Sequence, residues 1–354
     1  MNWIHNLARP DIVALAQYEH AVWHPELERL HANELPWRHP SDATLAGLNR
    51  YPEPQPVKLI MRLAALYGVA PGCLLVTRGS DEAIDLLMRV FCRAREDAVL
   101  VCPPTFGMYA VTAAIQGAAV VNVPLRAESG FALDEVALLA HCSKAVKLIF
   151  LCSPNSPTGN LMSVESILHI ARQLEGRAIL VVDEAYIEFA GVRSLARHVR
   201  QMPQLAVLRT LSKAHALAGA RCGALIAAPA VITLLRKVIM PYALSQLTIE
   251  SVLSCLDDSN ADALGERVAA IKAARERLAQ ELGACRSVAR VWPSAANFLL
   301  VEFTDAASAA AALNRTRAAG LLIRDMRRQP TLERALRISI GTSEQNERLL
   351  EALR

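Results

Sequence analysis

Along the first two thirds of the chain, apolar residues fall in short, nearly unbroken runs at 74–77, 98–102, 119–123, 146–152, 178–182, 205–209 and 222–227. Longer segments with helical spacing separate them. A strand that is apolar on both sides is buried on both sides, so these runs predict an α/β domain: a mostly parallel seven-stranded sheet covered by helices on both faces. The gaps supply the helices, for instance 81–92 behind Ser80 as N-cap and 164–174 behind Ser163.

After about residue 241 the pattern changes. An amphipathic stretch at 261–282, strands at 298–303 and 336–340, an Ala-rich helix at 306–319 and a terminal helix from Ser343 predict a smaller C-terminal α+β domain. The opening carries Pro36, Pro40, Pro52, Pro54 and Pro56 and reads as an extended arm outside either core. The expected division is an N-terminal arm over 1–35, a large domain over 36–243 and a small domain over 244–354.

Composition narrows the function classes. Hydrophobic residues make up 53% of the 354 and charged ones 20%, which supports a large core and excludes a disordered chain. The net charge of +4 is spread along the sequence, with Arg alternating with acids over 266–281, so there is no footprint for nucleic acid. The eight cysteines form no C-x-x-C pair and mostly sit in apolar runs, as free thiols of a reducing compartment do. No apolar run approaches the roughly 18 residues of a membrane span and the start lacks a secretory pattern, so a soluble, cytoplasmic protein is expected. No metal site is expected.

Ligands of such sheets bind outside the carboxyl ends of the strands, where four segments carry polar residues. In Thr210-Leu211-Ser212-Lys213, with Arg221 eight positions on, a lysine lies just after a strand beside hydroxyls and a cation. That suits an imine with an aldehyde cofactor next to a phosphate pocket, although a surface lysine also fits. In Val181-Val182-Asp183-Glu184-Ala185-Tyr186, a strand-terminal acid can hold a protonated ring nitrogen and a tyrosine can bond a ring hydroxyl; a helix cap is the plainer alternative. Ser153-Pro154-Asn155-Ser156-Pro157-Thr158-Gly159 can present polar side chains from a fixed loop. Thr77-Arg78-Gly79-Ser80-Asp81 opens a helix whose N–H groups suit a phosphate, without the spacing of a nucleotide site.

In this order the four segments resemble the fold-type-I aminotransferases, which depend on pyridoxal phosphate. Asn49-Arg50-Tyr51-Pro52-Glu53, Pro103-Pro104-Thr105-Phe106-Gly107-Met108-Tyr109, Asp183-Glu184-Ala185-Tyr186-Ile187-Glu188-Phe189 and Leu321-Leu322-Ile323-Arg324-Asp325 resemble the histidinol-phosphate aminotransferase branch, over about 7–353. The resemblance implies a cofactor of pyridoxal 5'-phosphate with Lys213 as the Schiff-base lysine, Asp183 on the pyridine nitrogen, Tyr186 on the ring hydroxyl and Tyr109 stacked on the ring. It implies Ser80, Asp81, Ser212 and Arg221 on the cofactor phosphate, and Tyr51 reaching in from the second subunit of a homodimer. Arg337 matches the carboxylate-binding arginine, and Tyr18 and Arg324 match positions near a substrate phosphate. The implied reaction moves an amino group between L-histidinol phosphate and 2-oxoglutarate, in histidine biosynthesis.

Two positions depart from the pattern. Ser156 stands where the family has Asn before Pro-Thr-Gly, leaving Asn155 as a substitute donor to the ring oxygen, and His31 stands where this branch more often has Asn. An aromatic amino acid aminotransferase or a phosphothreonine decarboxylase would reuse every cofactor residue named. A catalytically silent binding or regulatory protein is the alternative from another class, against which the retained Lys213 and Asp183 stand.

Overall fold

Runs that lack polar side chains can satisfy their backbone only by pairing with one another, and here they do. The computed structural model describes residues 3–19, 24 and 27–354. Strands β1 (Leu74–Thr77), β2 (Ala98–Val101), β3 (Ala119–Asn122), β4 (Val146–Cys152), β5 (Ile179–Asp183), β6 (Leu205–Thr210) and β7 (Gly223–Ile226) form one sheet in the order β1-β7-β6-β5-β4-β2-β3. The pairs from β3 to β6 are parallel, and β7 runs antiparallel to both β6 and β1.

Alternate residues of each strand enter two separate apolar layers. Val76, Leu100, Ile149, Leu180 and Val207 face one, and Leu75, Val99, Phe150, Val181 and Leu208 face the other. The covering helices are α1 (Trp3–Leu7), α2 (Pro10–Ala14), α3 (Val57–Tyr67), α4 (Gly79–Phe91), α5 (Met108–Gln116), α6 (Glu135–His141), α7 (Val164–Gln173), α8 (Pro229–Arg236) and α9 (Gln246–Cys255). Helices α3, α6, α7 and α9 close the first layer, and α1, α4, α5 and α8 the second.

Part of the expected arm is therefore core: Ile4 and Leu7 of α1 are buried against the second layer. Residues 36–56, by contrast, form neither helix nor strand. Helix α9, inside the 244–354 span assigned from sequence to the small domain, packs on α3 in the larger core through Ile249 and Val252.

The remaining chain forms α10 (Ala261–Gly283), β8 (Val288–Val291), β9 (Phe298–Phe303), α11 (Ala306–Ala318), β10 (Arg324–Asp325), β11 (Ala335–Ser339) and α12 (Ser343–Leu353). Its strands pair antiparallel in the order β10-β11-β9-β8. Leu299, Val301, Leu336 and Ile338 bury one face of this sheet under α10, α11 and α12, while Leu300 and Ala335 on the other face join the core of the large sheet. The short edge strands β8 and β10, too polar to stand out in the sequence, appear only as partners of β9 and β11.

The start of α4 differs from expectation. Ser80 is not its N-cap: the helix begins at Gly79, Arg78 occupies the cap position, and no side chain caps the helix. Gly79 has φ +74, a backbone conformation that glycine adopts without strain, and it lets the chain turn sharply out of β1. Gly223, where β7 passes this turn, is equally constrained. A Cβ there would sit 2.8 Å from the carbonyl carbon of Gly79 and 2.9 Å from the Ser80 nitrogen, backbone atoms that cannot swing aside. Gly223→Ala should lower the unfolding free energy by roughly 1–3 kcal/mol, the cost of overpacking a filled position. Urea unfolding reads this as a lower midpoint; an unchanged midpoint would show that α4 can retreat from β7 freely.

Candidate active site

Because β1, β2, β4, β5 and β6 all end on the same edge, the segments that follow them converge there. Asp183 is the last residue of β5, pairs in register with Cys152 at the end of β4, and is 3% exposed. Its Oδ2 accepts a 2.8 Å hydrogen bond from the Tyr109 hydroxyl, and its Oδ1 one of 3.1 Å from the Ala185 N–H. Burial lifts the carboxyl to about 6, against the pull of those two donors toward the ionised form.

Lys213 follows β6 on a turn closed by the Leu217 N–H on the Leu211 carbonyl. Its Nζ lies 5.5 Å from the centroid of the Tyr186 ring. The side chain reaches solvent, yet enough protein surrounds the amine that burial, followed by the charge of Arg337, lowers its pKa, while Asp183 and Asp81 oppose the shift. Tyr186 packs edge-on against Phe298, and burial pushes its phenol up to about 12.

The uncapped start of α4 supplies an anion site. No acceptor among the described residues takes the N–H groups of Gly79, Ser80 and Asp81. Arg221 lies alongside and donates to Ser212 Oγ at 3.4 Å and to Asp81 Oδ2 at 3.2 Å. A Cβ on Gly79 would come within 2.8 Å of the Arg221 guanidinium, so the glycine keeps this cradle open. Three free N–H groups at a helix start, a hydroxyl and a guanidinium fit a phosphate ester. Asp81 fits only through its main chain, since its carboxylate is itself an anion and already accepts from Arg221.

Two expectations for side chains beside this edge are corrected. Tyr109 does not offer a ring for stacking: it is fully buried, its face lies on Phe150 at 4.8 Å and its hydroxyl is spent on Asp183. Phe106, edge-on to Tyr109 and only partly buried, is the aromatic ring nearer the opening. Asn155 cannot substitute as a donor to a ring oxygen. Its amide donates to the Pro104 carbonyl and to Thr158 Oγ1, and its Oδ1 accepts from Thr105, so every strong group already holds the loop.

Ser156 is the residue of that loop that meets the small domain. Arg337 Nη1 donates to its Oγ at 2.9 Å, and the Arg337 guanidinium also covers the Phe298 ring at 5.2 Å. Arg324 stands directly opposite Arg337 on the neighbouring strand. Asp325, next to Arg324 in sequence, pairs with Arg327 at 2.9 Å. Two other expected residues are exposed on this chain: Tyr51, at 52%, stacks on Tyr242 at 4.6 Å, and Tyr18 is 67% exposed. The supporting rings Phe106 and Phe298 were missed, and the apolar strand start at 298 was the only trace of the second.

Raising the Asp183 carboxyl ties stability to pH. Its contribution is greatest below the ordinary value of 3.8 and is lost as pH rises through about 6, because ionisation then places an unpaired charge in the core. A rise of that size corresponds to about 3 kcal/mol. Cofactor-free Asp183→Asn should therefore gain stability relative to the parent by up to about 3 kcal/mol between about pH 4 and pH 7. Paired urea titrations across that range check it, and a difference that does not vary with pH would show that Asp183 ionises without penalty.

Comparison with known proteins identifies the family. The family described as aminotransferase class I and II matches residues 34–353. A histidinol-phosphate aminotransferase of Stenotrophomonas maltophilia (strain R551-3) is 48% identical over 98% of this chain and 95% of its own length. One from Xylella fastidiosa (strain Temecula1 / ATCC 700964) is 48% identical over 92% and 88%. The crystal structure of histidinol-phosphate aminotransferase from Sinorhizobium meliloti in complex with pyridoxal-5'-phosphate superposes with a TM-score of 0.77 at 26% identity, over 86% of this chain and 82% of that one. With the family matched across nearly its whole length and relatives close to half identical, the chain belongs to the class I and II aminotransferases, in the branch of the histidinol-phosphate aminotransferases.

Proposed function

We propose that this protein transfers the amino group of L-histidinol phosphate to 2-oxoglutarate, with pyridoxal phosphate held at Lys213, as a step of histidine biosynthesis. The observation that carries the reading is the pair Arg324 and Arg337, set opposite one another across β10 and β11 with Arg337 reaching to Ser156. Like charges placed directly opposite destabilise a sheet, and a doubly charged anion between them removes the conflict. A phosphate ester on one substrate and a carboxylate on the other both meet that need, since a guanidinium fork binds either in bidentate fashion. The relatives' names point to the same phosphate-bearing amine.

The residues divide the work. The N–H groups at Ser80 and Asp81, the Ser212 hydroxyl and Arg221 hold the cofactor phosphate. Asp183 holds a proton at the ring nitrogen, where the positive charge offsets the cost of ionising a buried carboxyl. Tyr186 keeps its phenolic proton and offers it to the ring oxygen, with the Ser156 hydroxyl beside it. Pyridoxal phosphate, when bound, supplies an aldehyde for the amine and a ring that takes up the electrons left as the substrate carbon loses its proton. Lys213 Nζ, its pKa lowered, is the base that moves that proton.

We further infer a homodimer in which Tyr51 serves the partner's site. On its own chain Tyr51 is an exposed large hydrophobic side chain, as are Leu35, Trp37 and Leu45 of the same irregular segment, and side chains of this kind are what an interface covers.

If the phosphate is read by Arg324 and Arg337, unphosphorylated histidinol should be a poor donor. Losing one charge-assisted contact worth roughly 1.5–3 kcal/mol lowers kcat/KM about 10- to 150-fold. Equal kcat/KM for histidinol and histidinol phosphate would sink the substrate assignment and leave the aminotransferase standing. Mixing inactive Lys213→Ala subunits with Tyr51→Phe subunits tests the dimer. After exchange each hybrid holds one site with both lesions and one with neither, so activity should exceed that of both parents. No recovery despite verified exchange would return Tyr51 to its own subunit.

A further inference from the structure

Behind the site lies a buried charged cluster that the chemistry above leaves unused. Arg209, on β6, is 7% exposed. Its guanidinium pairs with Glu188, lies 3.8 Å from Glu184 and sits 4.5 Å above the Tyr67 ring. Its Nε has no hydrogen-bond partner among the described residues. Glu184 is also held by the Ser194 hydroxyl and the Leu195 N–H, and Glu188 faces His215 at 3.9 Å. Burial lowers the His215 pKa, so near neutrality the ring is uncharged and leaves Glu188 to Arg209.

Each member neighbours a site residue in sequence. Glu184 follows Asp183, Glu188 comes two after Tyr186, His215 two after Lys213, and Arg209 lies on the strand end that leads to Lys213. The backbone ladder between these two segments stops early. After the Asp183–Leu208 pair and the bond from the Glu184 N–H to the Leu208 carbonyl, no backbone hydrogen bond among the described residues joins 185–189 to 209–215. Side-chain contacts bridge them instead: those of Arg209 with Glu184 and Glu188, of His215 with Glu188, and of Lys213 with the Tyr186 ring. Stability alone does not call for such a device, because apolar side chains fill a core at least as well as a buried ion pair. A planar fork, however, can hold two carboxylates at a fixed spacing, which neither an apolar side chain nor a lysine can do.

We propose that Arg209 is a positioning residue: bridging Glu184 and Glu188, it sets the spacing between the segment bearing Asp183 and Tyr186 and the turn bearing Lys213. The inference rests on the reading that Lys213 moves the substrate proton. It touches neither Arg324 nor Arg337, so it acts on the proton step and leaves anion binding alone.

The experiment uses the holoenzyme and two variants, Arg209→Lys and Glu188→Gln. Displacing a reacting group by about 1 Å can cost about 100-fold in rate, so kcat should fall roughly 10- to 100-fold in Arg209→Lys, and less in Glu188→Gln, while KM for the amine donor changes little. A second readout needs no turnover. In cofactor-free protein, acetylation of Lys213 by acetic anhydride is followed against pH by peptide mass spectrometry, with the exposed Lys58 as internal standard. Both variants should shift the Lys213 profile and leave Lys58 unchanged. Folded variants with parental kcat and parental Lys213 labelling overturn the proposal; should Arg209→Lys fail to fold, Glu188→Gln decides by the same two criteria. Absence of turnover in the parent protein itself would count against the proposed function, and the labelling comparison would still judge the positioning role.

Discussion

Both faces of the large sheet are sealed by apolar layers, and this constraint organises the rest of the molecule. A polar side chain on the interior of β4, β5 or β6 would lie in one of those layers without water or a partner, at a cost of several kcal/mol. Polar chemistry is thereby confined to the ends of the strands. Asp183, the carboxylate at that boundary, is tolerated because Tyr109 and the Ala185 N–H take up its oxygens. The burial that raises its pKa also makes a cation opposite it favourable, so a placement that costs the cofactor-free fold stability serves the chemistry.

At the same edge the main chain does what side chains could not. The anion cradle depends on Gly79 and Gly223, whose missing Cβ atoms let α4, β7 and Arg221 approach one another. An ordinary N-cap at that helix start would have used up the N–H groups that an anion needs. The absent cap is thus a local fault in helix design and a functional gain, which is the kind of exchange expected at a binding site.

The small sheet contributes charge without sharing the large sheet's strands. Its β9 and β11 are anchored on the large core through Leu300 and Ala335, and Arg337 on β11 extends from that anchor to Ser156. Serine is short enough to leave the guanidinium within hydrogen-bond distance and the Tyr186 phenol close by. Asn155, one position earlier, does the opposite work: its amide is consumed in fixing the loop, while the buried Ser156 turns its hydroxyl to Arg337.

The sequence by itself determined the seven runs of the large sheet to within one or two residues at each end, because burial on both faces writes itself as uninterrupted apolar residues. It also placed Lys213, Asp183, Ser212 and Arg221 on segments leaving strand ends, since those segments are where polarity returns. It could not say which way a side chain turns. Tyr109 looked available for stacking and proved buried on Asp183, Asn155 looked like a spare donor and proved fully engaged, and Ser80 looked like a cap one residue inside a helix that has none. These are decided by which neighbours compete for each group, and the neighbours are distant in sequence: Tyr109 and Asp183 are 74 positions apart, Ser156 and Arg337 181. The brace at Arg209 was hidden for the same reason, as an arginine in an apolar strand acquires its meaning only when β5 is laid beside β6. Local pattern records what a segment must bury, whereas the partner of each buried polar group is chosen by the packing of the whole chain.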